Sequence, residues 1–248
     1  MSVDSQRGFT IIEVMLFLAI TGGLFAALMV GVNTGITQQR YLDSVRSYKA
    51  LVQNQYSEVL NTRNDNAGNT KCSDRKDGNL DQAAPLDVNG TSQCVILGRA
   101  IKIMDGGTKV ETSSVTAYDM TANSNDSSDI TVLTNYKPKL SSFNIETTEI
   151  DWQGNLEVPA SPGGSSSHSS AFILILRSPT TGNIRLFTSP SAPSDLSSII
   201  TDANAVAKIE NCMKGDSGLL PKQSITIDPR IASPDAVSTD GGGNPLCQ

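Results

Sequence analysis

Aromatic side chains are scarce in this chain, 5% of 248 residues, with one tryptophan, Trp152, and one histidine, His168. A single histidine in a Ser/Gly stretch offers neither a metal-spaced His/Cys set nor a nucleophile–base pair, and no Gly-rich phosphate loop is present. These absences argue against an enzyme. Basic runs are missing too. The net charge is −6, with Lys and Arg thinly scattered, so the electrostatic footprint of a nucleic-acid binder is lacking and the acidic balance favours solubility. No charged residue lies between Glu13 and Arg40, and no Pro or Gly between Thr37 and Arg63. Cysteine is absent from the first 71 residues.

The uncharged stretch is what the chain has instead. After Met1–Gly8, which carries Asp4 and Arg7, come Phe9-Thr10-Ile11-Ile12-Glu13 and an apolar run from Val14 to Val32. A helix from Phe9 to Val32 is about 36 Å long, enough for a hydrocarbon core of about 30 Å. The run is longer than a signal-peptide core, and no small-residue cleavage site follows it. A plain signal anchor leaves Glu13 unexplained. A carboxylate at bilayer depth costs about 2.5–3.5 kcal/mol on insertion scales and therefore calls for a partner. Phe9 and Glu13 are one helical turn apart on one face. If the chain is cut after Gly8, Phe9 gains a free amine that a neighbouring copy can offer to Glu13. Such a contact is heterologous and can propagate into an open helical filament.

Gly8-Phe9-Thr10-Ile11-Ile12-Glu13, followed by an apolar helix, resembles the processing motif of type IV prepilins and type II secretion pseudopilins. The resemblance covers residues 1 to about 60 and implies cleavage between Gly8 and Phe9 by a prepilin peptidase, N-methylation of Phe9, and a role for Glu13 in methylation and subunit registry. It further implies a single-pass precursor in the cytoplasmic membrane, then an extracellular filament whose core is the apolar helix. Many pilins carry a mid-helix proline; here Val30 stands in that region, with Gly22-Gly23 earlier. That pair reads equally as a point of bending and as a site of close helix packing.

From Thr37 to Arg63 the apolar residues Tyr41, Val45, Tyr48, Val52, Tyr56 and Val59 recur at steps of three and four, predicting an amphipathic helix. The expected organisation is a leader at 1–8, one long helix at 9–63 (membrane or filament core to 32, amphipathic from 33), and an extracellular β-rich domain at 64–248. The fold class is α+β, pilin-like, with an antiparallel sheet on the long helix. Runs rich in Val, Ile and Thr predict strands at Cys94–Met104, Lys109–Tyr118, Asp129–Asn135 and Phe143–Ile150. Ala171–Arg177 and Ile184–Thr188 form the clearest hairpin, its first strand central, and Ser224–Asp228 a last strand. A second helix is expected from Ser194, its N-cap, to Asn211, on the stripe Leu196, Ile199, Ile200, Ala203, Val206 and Ile209.

The four cysteines, Cys72, Cys94, Cys212 and Cys247, read as two disulfides in an exported domain. Three pairings exist; Cys72–Cys94 and Cys212–Cys247 are favoured because each closes a polar loop. No cofactor is expected. Asp77, Asn79 and Asp81 have the alternation of a calcium loop but lack its Gly and terminal Glu. Asn89-Gly-Thr91 and Asn125-Asp-Ser127 match the glycosylation pattern, which leaves their use open.

The expected function is a structural subunit, major or minor, of a type IV pilus-like filament serving adhesion, motility or contact with a host surface or other cells. Its partners would be other pilin subunits, the prepilin peptidase, a pilus assembly platform and the membrane. The alternatives are a type II secretion pseudopilin, a DNA-uptake pilin using Arg99, Lys102 and Lys109 as a basic stripe, and a signal-anchored surface enzyme or receptor.

Overall fold

The computed structural model describes residues 10–61, 71–72, 80–81, 94–118, 128–142, 145–151, 154–157, 171–215, 220–241 and 247. The chain divides into two compact units, Met1–Leu42 and Asp43–Gln248. Helix α1, Ile11–Leu60, contributes residues to both. The fold is α+β, with one long N-terminal helix and antiparallel sheets.

In the first unit, every described residue from Thr10 to Arg40 is exposed, including Ile11, Leu18, Phe25 and Leu28, each more than 60%. The six predicted amphipathic positions, Tyr41 to Val59, are all at most 4% exposed.

Among the described residues of the second unit the strands form three sheets. β1 (Lys71–Cys72) and β2 (Leu80–Asp81) pair with each other. The large sheet has the order β10-β9-β8-β3-β4-β5, with β6 also on β4. Its strands are β3 (Cys94–Met104), β4 (Lys109–Tyr118), β5 (Lys139–Leu140), β6 (Glu146–Glu149), β8 (Ala171–Arg177), β9 (Ile184–Ser189) and β10 (Ala205–Val206). The third sheet runs β13 (Val237–Gly241), β12 (Gln223–Ile227), β11 (Ile209–Gly215), β7 (Gly154–Glu157). The continuously apolar Phe172–Leu176 lies inside the large sheet, between β3 and β9, buried on both faces as such a run requires.

The last turns of α1 are held from both larger sheets. From β11, the Asn211 amide donates to the Tyr48 hydroxyl (2.7 Å), whose pKa burial pushes up against that hydrogen bond. Gln53 donates to the carbonyls of Pro234 and Val237, and the Tyr56 hydroxyl to that of Ile231. Burial, then the nearby Asp228 charge, raise the Tyr56 hydroxyl to about 12. On the opposite sheet, buried Arg99 of β3 bonds Gln55 (2.6 Å), Glu58 (3.0 Å) and Ser114. A second core lies under β3, β4, β8 and β9, where Leu97, Val115, Leu174 and Phe187 meet Leu133 and Ile200. Gly98 sits at the irregular register step of β3. A Cβ there would meet the Ile175 carbonyl oxygen at 1.9 Å, so only glycine allows this approach.

Two expected elements are overturned. Asp129–Asn135, expected as a strand, is the short helix α2. Ser128 caps it, accepting from the Thr131 amide (3.2 Å), and the buried Asp129 carboxylate is anchored elsewhere, so capping and tertiary contacts override the β-propensity of the sequence. Ser194–Asn211, expected as a helix, is a 3₁₀ turn at Leu196–Ser198, capped by Asp195 rather than Ser194, followed by β10 and the start of β11. Leu196, Ile199 and Ile200 are buried as the stripe suggests. Ala205–Val206 then pair with β9 and Ile209–Met213 with β12, so the backbone hydrogen bonds go to sheets. Of Phe143–Ile150, strand conformation is found at Glu146–Glu149.

Candidate functional site

The segment that carries the sequence argument begins at Thr10, whose hydroxyl accepts the Glu13 amide (3.3 Å) and whose carbonyl accepts it as well (3.1 Å). Three threonines that follow turn their hydroxyls onto the helix backbone. Thr21 donates to Phe17 (2.8 Å), Thr34 to Val30 (3.0 Å) and Thr37 to Asn33 (3.0 Å), all backbone carbonyls. What remains outward is mostly hydrocarbon, apart from Glu13 and the amides Asn33, Gln38 and Gln39. The helix is long and apolar enough to cross a membrane, and its apolar window has no burial within the chain itself. Glu13 is the one carboxylate on this surface, exposed near the helix start. Gly22, Gly23, Gly31 and Gly35 all lie inside the helix with open space around them. Gly8 and Phe9, the expected cleavage and methylation residues, lie outside the described residues.

In the second unit, Cys212 and Cys247 are disulfide-bonded, Cα–Cα 5.4 Å, across a separation of 35 residues. The backbones of Cys72 and Cys94 lie in β1 and β3; their side chains are outside the described part. Asp77 and Asn79, the side chain of Asp81, His168 and both glycosylation patterns lie outside it as well. Among the described residues no three His, Cys, Asp or Glu gather to hold a metal ion.

The basic residues considered for a nucleic-acid stripe are each ion-paired. Arg99 is buried against Glu58, Lys102 meets Glu111 (3.5 Å), and Lys109 meets Asp105 (3.1 Å) and Glu149 (3.7 Å).

The composition offers no hint of one cluster, because its members are far apart in sequence. Asp129 accepts from the Thr181 hydroxyl (2.6 Å), the Asn183 amide (3.2 Å) and Arg185 (3.1 Å), pinning α2 to the β8–β9 turn. Burial opposes its charge, but these hydrogen bonds and one from Ser178 outweigh it and hold the carboxyl at about 2. Beside the turn lies an open cleft of about 660 Å³ that includes Arg177, Arg185 and Arg230. Arg177 donates to the Leu60 carbonyl at the end of α1 (2.9 Å), satisfying one of the helix's orphan acceptors. A second cleft, of about 720 Å³, lies beside Lys137 and Leu196, and among the described residues neither cleft is lined by a cysteine or a histidine.

Compared with protein-family models, curated proteins and solved structures, the chain matches none.

Proposed function

We propose that this protein is a pilin-like structural subunit. It is made as a membrane-anchored precursor, cut between Gly8 and Phe9 by a prepilin peptidase, and assembled through its N-terminal helix into an extracellular filament. One observation carries the reading: from Ile11 to Ile36 every residue of the helix is exposed, nearly all of them are apolar or glycine, and Glu13 is the single charge among them. Such a surface is unstable in water and has two consistent environments, lipid before assembly and the same helix of other copies afterwards. A carboxylate kept within it has a use only if a cation meets it there, and a newly made amine at Phe9 of a neighbouring copy supplies one. The amphipathic continuation of the helix and a disulfide-closed tail suit a subunit working outside the cell.

The test is Glu13→Val, expressed in the native cells. The variant is expected to remain membrane-bound and cleaved, while the sheared filament fraction falls at least tenfold and methylation of Phe9 declines. Filaments at the normal level would sink the pairing of amine and carboxylate.

A further inference from the structure

We propose that the arginine-rimmed cleft beside β9 and β10 is the seat of strand β6 from a second copy of this chain, so that globular domains bind edge to edge within the filament. The cleft has an apolar floor that includes Ile184, Leu186 and Val206, and Arg177, Arg185 and Arg230 line it as well. The charge it presents is positive, because the balancing carboxylates lie inward. The Asp129 side chain is 5% exposed and that of Asp228 18%, whereas their arginine partners, Arg185 and Arg230, are 46% and 75% exposed. Arg177, half-buried, donates to the Leu60 carbonyl and has no carboxylate partner among the described residues. Backbone groups are available here too. Among the described residues β10 pairs with Leu186 and Phe187 of β9, and no strand pairs with Ile184 and Arg185 on that side.

The complementary surface belongs to the same chain. All four residues of β6, Glu146-Thr147-Thr148-Glu149, are exposed, and among the described residues β6 pairs with β4 alone. Ile145 before it is 49% exposed, an apolar group at the strand's end, and Asp151 beyond it is exposed. Glu146 and Asp151 have no ion-pair partner among the described residues, and the Glu149 side chain remains 76% exposed beside Lys109. An acidic strand with an open edge and an apolar end matches a basic cleft with an open edge and an apolar floor.

Topology sets what such a contact builds. The cleft and β6 lie on opposite edges of one sheet, in the order β10-β9-β8-β3-β4, with β6 on the far side of β4. A contact between unlike edges is heterologous and leaves a free strand at one end of the assembly and a free cleft at the other, so it can repeat along a filament. The proposal rests on the filament reading above and gives the globular domain a share in subunit registry.

The experiment uses the full chain in its native cells, with a photo-crosslinking amino acid placed at Ala232 in the cleft or, separately, at Ala27 in the exposed apolar helix. Position 232 is expected to give a ladder of crosslinked copies whose peptides map to residues 145–151. Glu146→Lys with Glu149→Lys should lower that ladder at least fivefold while the ladder from position 27 persists. Crosslinks from 232 that map elsewhere or to another protein, or that survive the charge reversal undiminished, overturn the cleft contact and leave the filament reading intact if position 27 still gives its ladder. Loss of both ladders in the otherwise unaltered chain overturns the two together.

Discussion

At the scale of the residue, Asp129 shows how much a local reading misses. In sequence it opens a β-branched run; in the fold it is a buried anion whose partners lie 52 to 56 residues later. No periodicity marks such a site, because its hydrogen bonds form only once α2 and the β8–β9 turn meet. Its carboxyl is held at about 2, below the usual 3.8. A lowered folded-state pKa stabilises the fold above the unfolded value, and that contribution is lost as pH falls through the folded value, here between about 4 and about 2. Asp129→Asn is therefore expected to cost on the order of 2 kcal/mol at pH 7. Urea titrations of both proteins should show the gap narrowing as pH falls below about 4. A gap that stays constant down to pH 2 would mean the charge of Asp129 contributes nothing. Arg99 carries a similar lesson. It reads as a surface cation in a strand, and is instead buried between Gln55, Glu58 and Ser114.

At the scale of the element, legibility follows the range of the forces involved. The buried face of α1 is readable because Tyr41 through Val59 repeat at helical spacing and nothing breaks the helix. The β8–β9 hairpin is readable because a continuous apolar run and a turn-rich linker are both local signals. The segment from Ser194 to Asn211 misleads because its stripe of buried residues fits a helix as well as a 3₁₀ turn followed by strands, and pairing with β9 and β12 decides between them. The sheet of β7, β11, β12 and β13 is nearly invisible in sequence. Apart from β12, its strands are short or polar and draw their order from distant partners. Its closure by Cys212–Cys247 is the covalent part of that order. Closing a loop of 35 residues is worth roughly 3–4 kcal/mol where chain entropy dominates. Cys212→Ser should therefore unfold at a clearly lower temperature in calorimetry. Unfolding at the wild-type temperature would show that the clamp contributes no stability.

At the scale of the whole molecule, the chain combines a domain with two well-packed sheets and a helix whose first half exposes hydrocarbon along its length. Its candidate function was legible mainly in the residues around Glu13, where a charge and an apolar run conflict unless another copy supplies the partner. The globular surface was not legible, because the charge pattern of two opposite sheet edges exists only after the strands have found their order. The measurement that tests the central claim most directly is intact mass together with N-terminal peptide mass spectrometry of the protein from its native cells. A chain that begins at N-methylated Phe9 is the predicted result. A chain that still begins at Met1, in cells with a working prepilin peptidase, would contradict the filament account and leave a signal-anchored surface protein in its place.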